Sequence, residues 1–181
     1  MKIFQLLLVV LICTTLFCSC ESLIEKLFGK NEELSFTKTE YNGDQLRIDG
    51  YYYCKHEGAE LSRLRILFFY RDGILLYGGF PLLNELGDRE NEFISGQYSK
   101  FAKKYPSDWG LFTVDSISIQ YEMLYGGPFL AYIDSGIIIN DTTFVILKRK
   151  SSYGKDEKVL QDTFRLKPFS PKPDSTNIYI K

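Results

Sequence analysis

The chain has a single histidine, His56, two residues after Cys54. One histidine excludes a His-rich zinc centre and leaves a Ser-His-Asp triad only one route. Lys55, Glu57 and Gly58 around it read as an exposed turn, so His56 reads as a surface side chain. Cys54 follows Tyr51-Tyr52-Tyr53 in a strand-like run and reads as a small buried hydrophobe rather than a nucleophile. Gly78-Gly79 and Gly126-Gly127 lack the Lys-Ser/Thr or dinucleotide spacing of a phosphate loop and read as turn residues. Asp88, Glu90 and Glu92 lack the glycine and terminal glutamate of a calcium loop; they suit the start of a helix, where negative charge is favoured. Glu85 and Glu122 form a glycosidase pair only if folding sets them at a productive separation. The residues therefore nominate no catalytic group, no metal ligand and no cofactor. What remains is an aromatic set, Tyr51, Tyr53, Phe69, Tyr77, Trp109, Tyr121 and Tyr132, able to line a cavity mouth for an apolar ligand or a sugar ring. The competing reading, that most of these rings fill the core, is preferred, because a small barrel can be packed solid by side chains.

Cys20 carries a different chemistry. Lys2 gives a short positive start, and Ile3 to Phe17 is apolar apart from Gln5, Thr14 and Thr15. That run fits a signal peptide and falls short of the ~20 residues a spanning helix needs. Leu16-Phe17-Cys18-Ser19-Cys20 resembles the lipobox of bacterial lipoproteins, with Phe17 where leucine is usual. The resemblance implies cleavage after Ser19 and acylation of Cys20 on sulfur and amine, palmitate among the chains. Cys18 is a poor rival, because the bulky Phe17 precedes it. Several acyl chains anchor firmly, at ~0.8 kcal/mol per buried methylene. The expected organisation is a leader over 1–19, a lipidated tether over 20–33, one domain over 34–167 and a proline-containing tail over 168–181.

The formal net charge is −1, which gives no reason to expect nucleic acid. Once Cys13 and Cys18 leave with the leader and Cys20 is acylated, Cys54 has no disulfide partner. With 14 Phe, 13 Tyr and one Trp, the composition favours pleated sheet.

The elements that must position these residues are short strands. Leu46 to Cys54 and Arg63 to Tyr70 read as strands, with Leu64, Ile66 and Phe68 alternating against Arg63, Arg65 and Leu67. Arg71-Asp72-Gly73 then gives the strongest hairpin signal, returning through Ile74 to Phe80. Ile94, Tyr98, Phe101 and Tyr105 recur at helical spacing and predict a helical insertion near 88–104, ended by Pro106. Trp109 to Val114, Ile117 to Tyr121, Phe129 to Ile133, Ile137 to Ile139, Thr142 to Arg149 and Lys158 to Leu166 follow as strands, with Asp134-Ser135-Gly136 expected as a turn. Pro168, Pro171 and Pro173 predict an extended, mobile tail. In the tether, Leu23, Ile24, Leu27 and Phe28 share one face of a short helix.

Eight or nine short strands joined by tight turns favour an all-β antiparallel meander with one helical insertion, closing into a small barrel. A β-sandwich is the alternative, since the insertion interrupts the simplest eight-strand pattern. Trp109-Gly110-Leu111-Phe112, Ile117-Ser118-Ile119-Gln120-Tyr121 and Gly136 to Phe144 resemble the strand core of small uncharacterised lipoproteins from Bacteroidetes-type bacteria, some of them lipocalin-like. The resemblance implies a lipocalin-like domain held by its lipid in the cell envelope, at the outer membrane of a Gram-negative bacterium. The expected function is non-enzymatic binding of a small apolar molecule or a partner protein. The alternatives are an assembly subunit docking through a sheet edge or the 88–104 helix, and an enzyme acting on envelope polymers.

Overall fold

The computed structural model describes residues 32–56, 61–125, 129–154 and 156–180. Cys20, the leader and most of the tether lie outside the described residues.

Eight antiparallel strands form a closed barrel in sequence order: β1 (Gly50–His56), β2 (Arg63–Phe69), β3 (Ile74–Tyr77), β4 (Trp109–Asp115), β5 (Ser118–Tyr125), β6 (Leu130–Asn140), β7 (Thr143–Ser151) and β8 (Glu157–Pro168). The meander is the lipocalin-like one expected, and closure replaces the sandwich alternative. β8 returns to β1 with Gly50 opposite Pro168 and Tyr53 opposite Arg165. The insertion does not prevent closure, because it leaves β3 and rejoins at β4, both of which stay paired to one another. The barrel has a mouth, where β1, β3, β5 and β7 end, and a base, where the β2–β3, β4–β5 and β6–β7 turns lie.

The base is sealed by the segment before β1. Tyr41 and Leu46 are buried there in the interior core, and the Tyr41 hydroxyl accepts a hydrogen bond from the Leu46 amide at 2.6 Å. Leu46 thus closes the barrel end rather than opening a strand.

The helical insertion is two helices, α1 (Leu86–Ile94) and α2 (Gln97–Ala102). Gly96 separates them at φ 72°, a left-handed conformation that glycine adopts without strain. The break shifts the helical phase. The buried face is Phe93, Tyr98 and Ala102, while Ile94, Phe101 and Tyr105, expected on that face, are exposed. This face packs on the outside of β1–β4 against Tyr51, Leu64, Ile66, Phe68, Leu76 and Trp109, forming a second core. The alternation along β2 is present, but its apolar set faces the helices, while Arg65 faces the barrel interior.

Two further expectations are corrected. Asp134-Ser135-Gly136 is no turn: β6 runs through it for 11 residues, with a bulge between Ser135 and Gly136. A β-carbon on Gly136 would stand 1.9 Å from the Val145 carbonyl oxygen, so glycine here permits strand contact instead of ending a strand. The tail is docked. Phe169 packs against Tyr51 and Phe93, Lys172 donates to the carbonyls of Ile48 and Phe69 at 2.8 Å each, and the Tyr70 hydroxyl donates to the Pro173 carbonyl at 2.7 Å.

Candidate functional site: barrel mouth and wall cleft

The lumen is filled. Tyr52, Phe69, Phe112, Tyr121, Phe144 and Phe164 are each at most 2% exposed and meet inside the barrel, with Phe144 stacked on Phe164 at 4.9 Å. Alternate strand positions deliver these rings inward, where they form one packed cluster.

Toward the mouth the interior becomes charged. Asp134 on β6 is fully buried and lies across from Arg149 on β7. It accepts from Arg149 Nε at 2.6 Å and Nη2 at 2.7 Å, and from Arg65 Nη2 at 3.1 Å. Arg65 is 7% exposed and also lies 4.0 Å from Asp162 on β8. Two guanidinium groups thus face two carboxylates. Burial alone would raise the Asp134 carboxyl; the hydrogen bond from Arg149 and the charges of both arginines outweigh it and hold the group below the usual range. Arg149 stacks over the Tyr125 ring at 4.4 Å and donates to its hydroxyl at 3.1 Å. The Tyr121 hydroxyl approaches the same carboxylate without completing a hydrogen bond, and burial pushes its pKa well up. Outside this network a cleft of about 360 Å³ opens between Tyr125, Tyr132, Arg149, Asp156, Glu157 and Lys158.

The same interior face holds Cys54 and His56 of β1 and Asp162 of β8. One ligand-type atom from each lies within 4.8 Å of the others. Cys54 is buried, as expected, and burial pushes its thiol up to about 11. His56 is not the surface side chain expected: it is half-buried, its ring packs edge-on against Phe80, and its Nε2 is shielded with no hydrogen-bond partner. Sequence reading could have raised this group, because residues i and i+2 of a strand share a face. Asp162, more than a hundred residues away, gives no such signal.

The seven aromatic candidates do not line one cavity. Phe69 and Tyr121 are core, Tyr77 packs against that core, and Tyr132 flanks the mouth cleft. Tyr51 and Trp109 lie on the outer face beneath the helices, with Tyr53 beside them. Tyr51 donates to Glu90 at 2.6 Å, and Lys167 donates to the same carboxylate at 2.6 Å. Glu90 therefore ties α1 to the barrel rather than simply decorating a helix start.

A cleft of about 500 Å³ lies on the barrel wall. Its floor includes Trp109, Leu111 and Leu124 of β4 and β5. One side is the incoming segment with Glu32, Leu34, Phe36 and Lys38, and the other is Pro106 with Tyr179 and Ile180 of the tail. Sequence reading missed it because its sides come from the junction of the expected tether and domain and from the expected tail, which no local pattern brings together. Glu122 fastens the first side. It is fully buried on the outer face of β5 and accepts from the Ser35 amide at 2.7 Å, the Phe36 amide at 2.8 Å, the Ser35 hydroxyl at 2.9 Å and the Ser152 hydroxyl. With its oxygens so engaged, Glu122 is unsuited to pairing with the exposed Glu85 as a hydrolytic acid. No family model matches the chain, and neither does any curated protein or solved structure.

Proposed function

We propose that this chain is a lipid-anchored, non-enzymatic protein of the bacterial cell envelope, related to the small lipoproteins its strands resemble, that binds a small apolar ligand in the wall cleft. The observation that carries the reading is the division of space in the barrel. The lumen, where a lipocalin-like barrel would hold a ligand, is filled by rings, whereas the wall offers a 500 Å³ cleft lined by Leu34, Phe36, Leu111, Leu124 and Ile180. That volume lies within the range of small-molecule sites. Glu32 is itself a cleft residue and follows Cys20 by 12 residues, at most ~40 Å of extended chain. An acylated Cys20 would hold the cleft near the bilayer, where apolar molecules partition.

Trp109, the single tryptophan, reports directly on the cleft. Titration of the purified protein with N-phenyl-1-naphthylamine should give saturable energy transfer from Trp109. Leu124→Arg should weaken it at least tenfold with an unchanged circular dichroism spectrum. Non-saturable transfer, or equal affinity in the variant, would dismiss the cleft as the site. Cys20→Ala grown with labelled palmitate should lose the label, and persistent labelling would refute acylation at this residue.

The assembly-subunit alternative retains one supporting observation. Closure pairs every strand on both sides, leaving only the short mouth end of the β1–β8 seam unpaired among the described residues, but Ile94, Phe101 and Tyr105 expose 53%, 50% and 43% of their surface on the insertion. Isolation from native membranes without a stoichiometric partner would count against it.

A further inference from the structure

We propose that Cys54, His56 and Asp162 form a binding site for a divalent transition-metal ion of the zinc type, which staples the closing seam of the barrel at its mouth. The inference is independent of the wall cleft and of the lipid anchor.

The placement follows from register. Cys54 and His56 are i and i+2 on β1 and project to the interior. The β1–β8 ladder pairs Tyr53 with Arg165, and three further steps bring His56 level with Asp162. The ladder itself stops at Tyr53, whereas β1 remains paired to β2 as far as His56 opposite Arg63. The last three residues of β1 are therefore held on one side only, and the three ligand-type atoms gather across that opening, within 4.8 Å of one another. Tetrahedral zinc, with bonds of ~2.0–2.3 Å, sets such atoms ~3.5 Å apart. Closing the difference takes side-chain rotations of about an ångström.

One observation at the site points to an occupant. Nε2 of His56 is shielded from solvent without a partner, a cost that native structures normally avoid. The Cys54 sulfur makes a long contact, 3.9 Å, to the Lys55 carbonyl and is approached by the Thr163 backbone amide from β8. A coordinating metal would engage both residues. The donor set of sulfur, imidazole nitrogen and carboxylate oxygen suits zinc or cobalt and not calcium or magnesium, which require oxygen donors. Three protein ligands leave a fourth position for water.

The charges nearby set the strength. Arg65 lies 4.0 Å from Asp162 Oδ2, and Arg149 and Asp134 complete the adjoining network. Binding forms a metal–sulfur bond and releases the thiol proton to solvent, so the ion enters with one new negative charge beside it. The guanidinium of Arg65 opposes the remaining positive charge, which predicts a weaker site than a closed zinc finger.

The test uses the full chain, stripped with a chelator and titrated with Co²⁺. One equivalent should produce a thiolate-to-cobalt charge-transfer band and intense visible bands of tetrahedral geometry. In Cys54→Ser the charge-transfer band assigned by difference should vanish; this difference isolates Cys54 from cysteines elsewhere in the chain. His56→Gln and Asp162→Asn should each weaken binding at least tenfold, read by competition of Zn²⁺ against a chromophoric chelator. Zn²⁺ should raise the melting temperature of the unaltered chain and not that of His56→Gln. If Cys54→Ser fails to fold, the half-buried His56 keeps the test open. Equal cobalt spectra in the chain and in Cys54→Ser, or equal zinc affinity in His56→Gln, would overturn the proposal.

Discussion

Asp134→Asn is the sharpest test of how the mouth is held. The substitution keeps size and one acceptor oxygen but removes the charge and turns an amide donor toward two guanidinium groups. Three charge-assisted hydrogen bonds converge on Asp134, from Arg149 at 2.6 and 2.7 Å and from Arg65 at 3.1 Å. Arg65 is buried, and its remaining acid partner is 4.0 Å away. Breaking a buried pair from one side costs ~3–5 kcal/mol, because the surviving charge has lost its solvent and its partner. At ~2–4 °C per kcal/mol for a chain of this size, the melting temperature should fall by roughly 10 °C. Urea unfolding at pH 7, followed by Trp109 fluorescence and circular dichroism, measures it.

The pH dependence adds a signature that simple misfolding would not show. The folded pKa of Asp134 is depressed, so its contribution is complete above the unfolded value of ~3.9 and is lost as pH falls through the folded value. The gap between the two proteins should therefore be constant from pH 7 to pH 5 and narrow below pH 4. A loss under ~1 kcal/mol, the size expected of an exposed pair, would refute the argument. So would a gap that stays constant into the acid range. The double substitution Asp134→Asn with Arg149→Met should recover part of the loss, since the two side chains share one network.

Asp108→Asn should act in the opposite direction. Burial pushes the Asp108 carboxyl up to about 6, against the opposing charge of Arg89, and its Oδ2 has no partner. A raised carboxyl makes the folded state less stable as pH rises from ~4 to about 6, so the variant should melt higher than the natural chain at pH 8 and equal to it near pH 4; equal melting at both would refute this. Glu122→Ala removes the acceptor for Ser35, Phe36 and Ser152, and amide exchange over residues 34–37 should accelerate at least tenfold while probe binding at the wall cleft weakens. Ending the chain after Pro168 removes Phe169 from beside Tyr51 and Phe93, and Lys172 from two carbonyls. A loss of ~2 kcal/mol, or roughly 4–8 °C, and a red-shifted Trp109 emission should follow; an unchanged melting curve would show that the tail contributes nothing.

Local pattern located the β2–β3 hairpin, the helical insertion and the strands after Trp109, because turn chemistry and side-chain periodicity act over a few residues. It failed where a distant partner supplies the reason for a residue. Asp134-Ser135-Gly136 has the composition of a turn, yet two arginines on other strands neutralise the aspartate, and a neighbouring strand fills the space a side chain on Gly136 would need. The tail has the prolines of a mobile segment, yet it completes an aromatic cluster built from β1, β2 and α1. The helical stripe was misphased because Gly96 resets the phase between two helices, and the aromatic candidates fell on two faces because β1–β4 are covered on both sides.

By itself the amino-acid sequence determined the β class, the meander order and the excess of rings that fills a small barrel. These are properties of composition and of neighbours in the chain. Tertiary structure alone decided that the lumen is solid, that the usable cleft lies on the wall between two terminal segments, and that Cys54, His56 and Asp162 meet at the seam. The last of those depends on the register with which β8 closes on β1, a pairing across more than a hundred residues. Register follows from which face of every strand is buried, and that is settled only when all eight strands close together.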